Sequence, residues 1–236
     1  RWEPSIDQIK NAINENTKMI VLNYPNNPTG KTLPEKLLDS IMQTAKEHDL
    51  YILSDEIYWD YEKVDIDSDN DPYSHTLLEY EKSIVTKSFS KSHAMTGYRI
   101  GWVVAKPSII EKMSKLQALS LTNVSEPIQY VALQALKANT SENTRIIKSR
   151  LDALVKTAKD IGLEFIEPDG AMYLFAKTKY KNFDATKFSE KLLEHGIAIA
   201  PGEGFGDYKE FFRITAIDET RLKEGMTILD SVLKGL

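Results

Sequence analysis

SIVTKSFSKSHAMTGYRIGWVVA, residues 83–105, sets a polar segment rich in hydroxyls and cations between two apolar runs. The flanking runs, SIVTKS (83–88) and RIGWVVA (99–105), read as strands whose near-continuous apolar character suits a sheet covered on both faces. Upstream, KMIVLN (18–23) and YILSD (51–55) read the same way. Between them PEKLLDSIMQTAKEH (34–48) opens with Pro and Glu and repeats apolar residues at helical spacing, as a crossover helix does. Strand, helix, strand in that order predicts an α/β fold with a mostly parallel sheet.

Downstream the pattern turns helical from about 107 to 161, through SIIEKMSKLQALS, PIQYVALQALKAN and a third segment long enough to cross between two domains. Then come EFIEP, AMYLFAK, a helix over ATKFSEKLLEHG, the strands IAIAP and FFRITA, and a closing helix from about 219 to 234. The expectation is a larger domain over 1–143 that ends in interdomain helices, and a smaller α+β domain over 144–236.

The bulk numbers narrow the function classes. With 42% hydrophobic residues the chain of 236 residues can bury one large or two modest cores. A formal net charge of −5, with acids and bases mixed along the chain, gives no basic surface for nucleic acid or an anionic membrane. The absence of cysteine removes disulfides, thiolate catalysis and cysteine-ligated zinc. His48, His75, His93 and His195 are scattered without metal spacing, and no metal site is expected. DIDSDNDPYSHT (65–76) alternates acids as a calcium loop does, but Asn70 stands at its sixth place and Thr76 at its twelfth, so a solvated acidic loop is expected. No apolar span or signal-peptide core is visible, which makes a cytoplasmic location the expectation. The chain begins with Arg, as a fragment or a processed chain does.

Four stretches fall at strand ends or in adjoining loops, where open α/β sheets place ligands. NYPNNPTGK (23–31) is a rigid turn that holds the Asn27 amide at a fixed height. In SDEIYWDY (54–61), Asp55 ends a strand, either as a helix cap or as a carboxylate paired with a ligand cation, and Tyr58 follows three residues later. In the opening stretch Ser88, Ser90 and Arg99 make a cradle suited to a dianion, and Lys91 beside them is either a solvated lysine or a nucleophilic amine. No Walker pattern of glycines precedes Lys91, so a nucleoside triphosphate is not indicated. Arg213 interrupts the apolar strand FFRITA, where a guanidinium faces an acid, the surface, or a carboxylate ligand in a cleft. GEGFG (202–206) reads as a turn, and Trp59, Trp102 and Tyr98 as core or rim aromatics.

In order, spacing and residue type, NNPTG, SDEIY, SFSKSHAMTGYRIGW, GAMYLF, PGEGFG and FFRIT resemble the class I/II aminotransferases, the aspartate aminotransferase-like branch of the fold-type I pyridoxal-phosphate enzymes. The resemblance implies roles by position. Lys91 matches the lysine that holds pyridoxal 5′-phosphate and moves the substrate proton. Asp55 matches the acid on the pyridine nitrogen, and Asn27 and Tyr58 match the groups on the ring's phenolic oxygen. Ser88, Ser90 and Arg99 fall where the cofactor phosphate binds, and Arg213, with Asn27 near the substrate, matches the arginine for its α-carboxylate. It further implies transfer of an amino group from an α-amino acid, aspartate or an aromatic one, to a 2-oxo acid, in a homodimer. The family's N-terminal arm, its glycine-rich phosphate turn and its ring-stacking aromatic have no counterpart here, and only about four of its seven large-domain strands are found. The expectation is therefore a fragment that is catalytically weak by itself. Two rival readings are β-elimination on the same cofactor, as in carbon–sulfur lyases, and a catalytically silent binding module of the same fold.

Overall fold

The computed structural model describes residues 2–61 and 77–235, so the acidic loop 65–76 lies outside the described residues. The chain forms two compact units: Glu3–Pro25 with Thr32–Asn143, and Asn26–Lys31 with Trp2 and the chain from Thr144 on.

The first unit holds a sheet of β1 (Met19–Asn23), β2 (Tyr51–Asp55), β3 (Ser83–Ser88) and β4 (Gly101–Ala105) in that order. The first three strands are parallel, with Asn23 opposite Asp55 and Asp55 opposite Thr86. β4 returns antiparallel, with Ser88 opposite Gly101, so the sheet is mixed and mostly parallel. The link from β3 to β4 is taken up by α3 (Phe89–Ser92) and a 3-10 turn at Thr96–Tyr98, which leaves no length for the crossover helix a parallel return needs. Gly101 permits the close return, because a Cβ there would lie 2.5 Å from the Lys87 carbonyl oxygen. The helix α1 (Ile6–Ala12) is closed by a capping box between Ser5 and Gln8.

One face of the sheet is covered by α2 (Glu35–Glu47), whose Leu38, Ile41 and Ala45 are buried with Leu22, Ile52 and Val85. Among the described residues the cover is incomplete: on the edge strands Met19, Val21 and Val104 are exposed, Val21 by 63%. An apolar run records that a strand is meant to be buried, not which element buries it. The helices α4 (Pro107–Leu121) and α5 (Glu126–Ala135) likewise bury no residue and only Ala132, respectively. Leu116, Leu119, Leu121, Tyr130 and Leu133 stand exposed on or beside them.

In the second unit β5 (Glu164–Phe165), β6 (Tyr173–Lys177), β7 (Ala200–Pro201) and β8 (Phe211–Thr215) form an antiparallel sheet ordered β5-β6-β8-β7. Its core joins Leu151 and Leu154 of α6 (Ser141–Asp160), Phe188 and Leu192 of α7 (Ala185–Glu194), and Leu222 and Leu229 of α8 (Glu219–Lys234) to Leu174 and Phe212 of the sheet. Asp184 and Asp218 accept from main-chain amides to cap α7 and α8. Of the expected strand IAIAP only Ala200 and Pro201 pair, and GEGFG contains a 3-10 turn at Gly202–Phe205. Among the described residues no helix is long and apolar enough to cross a membrane, and no group of three metal-ligating side chains gathers.

Candidate active site

In the first unit the expected site residues issue from the carboxyl ends of β2 and β3 and from the link that follows. Asp55 closes β2 and is fixed by donors on both oxygens: Asn23 Nδ2 to Oδ2 at 3.1 Å, and the Ile57 amide to Oδ1 at 3.3 Å. Thr86 Oγ1 stands 3.5 Å from the same Oδ1. The strand register brings these groups together, since Asn23 and Thr86 flank Asp55 across the two parallel ladders. Behind this carboxylate, buried Glu56 accepts from Ser54 Oγ at 3.1 Å and meets Lys87 Nζ at 3.6 Å, while Lys87 lies over the half-buried Trp59 ring.

Ser88 ends β3 and caps α3, accepting from the Ser90 amide at 3.0 Å. Its hydroxyl is within hydrogen-bond reach of Ser90 Oγ (2.8 Å) and the Ile100 carbonyl (3.0 Å), so the two serines act as a linked pair in which Ser90 is buried. Lys91 sits in α3 with its amine 5.5 Å from the centroid of the buried Tyr58 ring. Arg99 has the left-handed φ of 52° and is exposed, with Nη1 donating to the Thr96 carbonyl at 3.0 Å. Trp102 packs on Phe89 at 4.8 Å between ring centroids and Tyr98 is exposed, as their reading as core and rim aromatics implies.

Asn27 and Arg213 belong to the second unit. Arg213 Nη1 donates to Asn27 Oδ1 at 2.8 Å, which fixes the orientation of that amide. The guanidinium lies 4.4 Å from the Tyr173 ring centroid and 5.1 Å from that of Phe205. Its Nε is buried with no hydrogen-bond partner among the described residues. The turn that carries Asn27 is stapled to the loop before β6: the amides of Asp169 and Gly170 donate to the Gly30 carbonyl at 2.8 and 2.9 Å, and Lys31 pairs with Asp169 at 2.6 Å.

Several side chains of these assemblies were not anticipated from sequence. Asn23 and Thr86 carry a weak signal, as polar residues at the ends of apolar strands beside Asp55. Tyr61, whose hydroxyl reaches the Lys91 carbonyl, and Asn143, which reaches that of Ser92, carry none, because their partners are 30 and 51 residues away.

Residues 1–229 match the family model described as aminotransferase class I and II. The chain belongs to that family. Among curated relatives it is 36% identical to the aspartate aminotransferase of Pyrococcus horikoshii and 35% identical to the aromatic-amino-acid aminotransferase 2 of Thermococcus litoralis. Each alignment covers 98% of this chain and 61% of the relative, so the chain spans about three-fifths of the length of the curated family members it matches. The crystal structure of aspartate aminotransferase from Thermotoga maritima superposes with a TM-score of 0.90 at 31% identity, over 98% of this chain and 60% of that one. The fold is that of the fold-type I pyridoxal-phosphate enzymes, and class I and II aminotransferases of this fold use pyridoxal 5′-phosphate.

Proposed function

We propose that the protein is a pyridoxal-phosphate-dependent aminotransferase that moves an amino group from an α-amino acid to a 2-oxo acid. Aspartate and aromatic amino acids are the first donors to try, because relatives at 36% and 35% identity bear those names. The observation that carries the reading is the donor set at the carboxyl ends of β2 and β3: a carboxylate fixed by Asn23 and Ile57, and a lysine amine beside a tyrosine ring. That set fits the cofactor, which has a basic ring nitrogen, a phenolic oxygen and an aldehyde.

In this reading Lys91 Nζ would hold the cofactor at its aldehyde carbon until the substrate amine displaces it, and the freed amine would then take the proton from the substrate Cα and deliver it to that carbon. Asp55 would pair with the protonated ring nitrogen, and by the family resemblance Tyr58 and Asn27 would serve the phenolic oxygen. Ser88 and Arg99 would bind the phosphate, with Ser90 Oγ in hydrogen-bond reach of the Ser88 hydroxyl. When bound, the cofactor supplies an electron sink for the carbanion at Cα. Arg213 would receive the substrate α-carboxylate, which offers an acceptor to a guanidinium whose buried Nε has no partner among the described residues. The division into a larger domain, 1–143, and a smaller one, 144–236, is part of the same proposal, as is a cytoplasmic homodimer. The exposed apolar side chains of α4 and α5 suit a surface that a partner subunit or further chain of the same protein covers.

The test is to add pyridoxal phosphate to the intact protein, follow the visible absorption band, reduce with borohydride and map the labelled peptide. A band that bleaches with the label on Lys91 is expected. No band, or a label on another lysine, overturns the reading.

A further inference from the structure

We infer that Tyr61 is a positioning residue for Lys91, holding by its hydroxyl the main-chain carbonyl of the residue whose amine lies beside Tyr58. The inference rests on the reading of Lys91 as the group that attaches the cofactor and moves the substrate proton.

A helix leaves its last four carbonyls without partners of its own, and α3 is only four residues long. Each carbonyl is nevertheless met. That of Phe89 accepts from the amides of His93 and Met95 at 3.3 and 3.2 Å, and that of Ser90 from Thr96 Oγ1 at 2.9 Å. That of Lys91 accepts from Tyr61 Oη at 2.5 Å and the Ala94 amide at 3.0 Å, and that of Ser92 from Asn143 Nδ2 at 2.9 Å. So short a helix has little rigidity of its own, and these side chains supply it.

Among them Tyr61 alone grips Lys91. It also belongs to the segment that carries Tyr58, since the Tyr61 amide donates to the Tyr58 carbonyl at 2.9 Å in the 3-10 turn Trp59–Tyr61. Two tyrosines three residues apart thus meet one lysine at two places, ring beside amine and hydroxyl on carbonyl. Burial, and secondarily the charge of Asp60, pushes the Tyr61 hydroxyl up to about 12, so it remains a donor at neutral pH. Without that bond α3 can relax, and a base misplaced by about 1 Å loses on the order of a hundredfold in rate.

The experiment compares Tyr61→Phe with Tyr80→Phe in the intact protein. Tyr80 is the control because it too is buried and donates to a main-chain carbonyl, that of Leu50 at 2.6 Å, outside α3. In Tyr61→Phe the Ala94 amide still serves the Lys91 carbonyl, so no acceptor is orphaned and the variant folds. Tyr61→Phe is expected to keep the borohydride label on Lys91 while moving the pH midpoint of the visible band by about half a unit or more. It is also expected to lower kcat roughly tenfold with KM little changed, and to raise the isotope effect of substrate deuterated at Cα. Tyr80→Phe should move none of these. Wild-type values for Tyr61→Phe, or equal changes in Tyr80→Phe, overturn the positioning role while leaving the aminotransferase reading intact. Absence of the label on Lys91 in the wild type overturns that reading itself.

Discussion

Gly30 adopts φ +68°, and a Cβ built there would lie 2.5 Å from Pro168 Cβ and 3.0 Å from the carbonyl oxygens of Gly170 and Tyr173. Gly30→Ala is therefore expected to combine backbone strain with overpacking, about 3 kcal/mol in all, read as a lower denaturant midpoint at unchanged slope. Arg213→Lys keeps the charge but loses the planar fork and the buried Nε; it is expected to cost about 2 kcal/mol, roughly thirtyfold in kcat/KM, in steady-state assays. Tyr61 gives a stability test with a definite sign. Its folded value, about 12, exceeds the ordinary 10.0, so its contribution is whole below about pH 10 and is lost as pH climbs through 12. Denaturation midpoints over that range should fall more steeply in the wild type than in Tyr61→Phe. The difference between what was and was not legible follows from distance along the chain. Asp55, Lys91 and Arg99 are proposed from short, distinctive runs of text, whereas Tyr61 and Asn143 act on α3 from far away in sequence and look like any surface-loop polar residue.

The elements were largely written in periodicity: strands over 51–55 and 83–88, the amphipathic crossover α2, and a closing helix over 219–234 all form where the apolar spacing puts them. Strand direction was not, because an apolar run is the same read either way; only the shortness of the link after β3 makes β4 antiparallel. At the start of that link Ser88, the last residue of β3, supplies the side-chain cap of α3. Ser88→Ala is expected to destabilise the fold by about 1 kcal/mol, measured by urea denaturation. It should also weaken pyridoxal-phosphate retention on dialysis, whereas Asp184→Ala, a cap loss of similar size on α7, should leave retention unchanged.

For the whole molecule, α4 and α5 turn leucines outward, Leu119 by 86% and Leu121 by 73%, an apolar area of the kind a solitary chain rarely leaves wet. The 236-residue polypeptide by itself is expected to sediment faster as its concentration rises and to light up a hydrophobic dye. A dye-silent monomer at every concentration would contradict the proposed assembly. The stapled turn bears on how such a protein can be recombined. Neither unit is a contiguous cassette, since Asn26–Lys31 is spelled between two parts of the first unit yet belongs with the second. A chimera spliced with a relative at 143/144 would pair one parent's Gly30 and Lys31 with the other parent's Pro168 and Asp169 counterparts. Grafting the hexapeptide together with the C-terminal segment keeps native neighbours matched, and a sequence-linear swap does not.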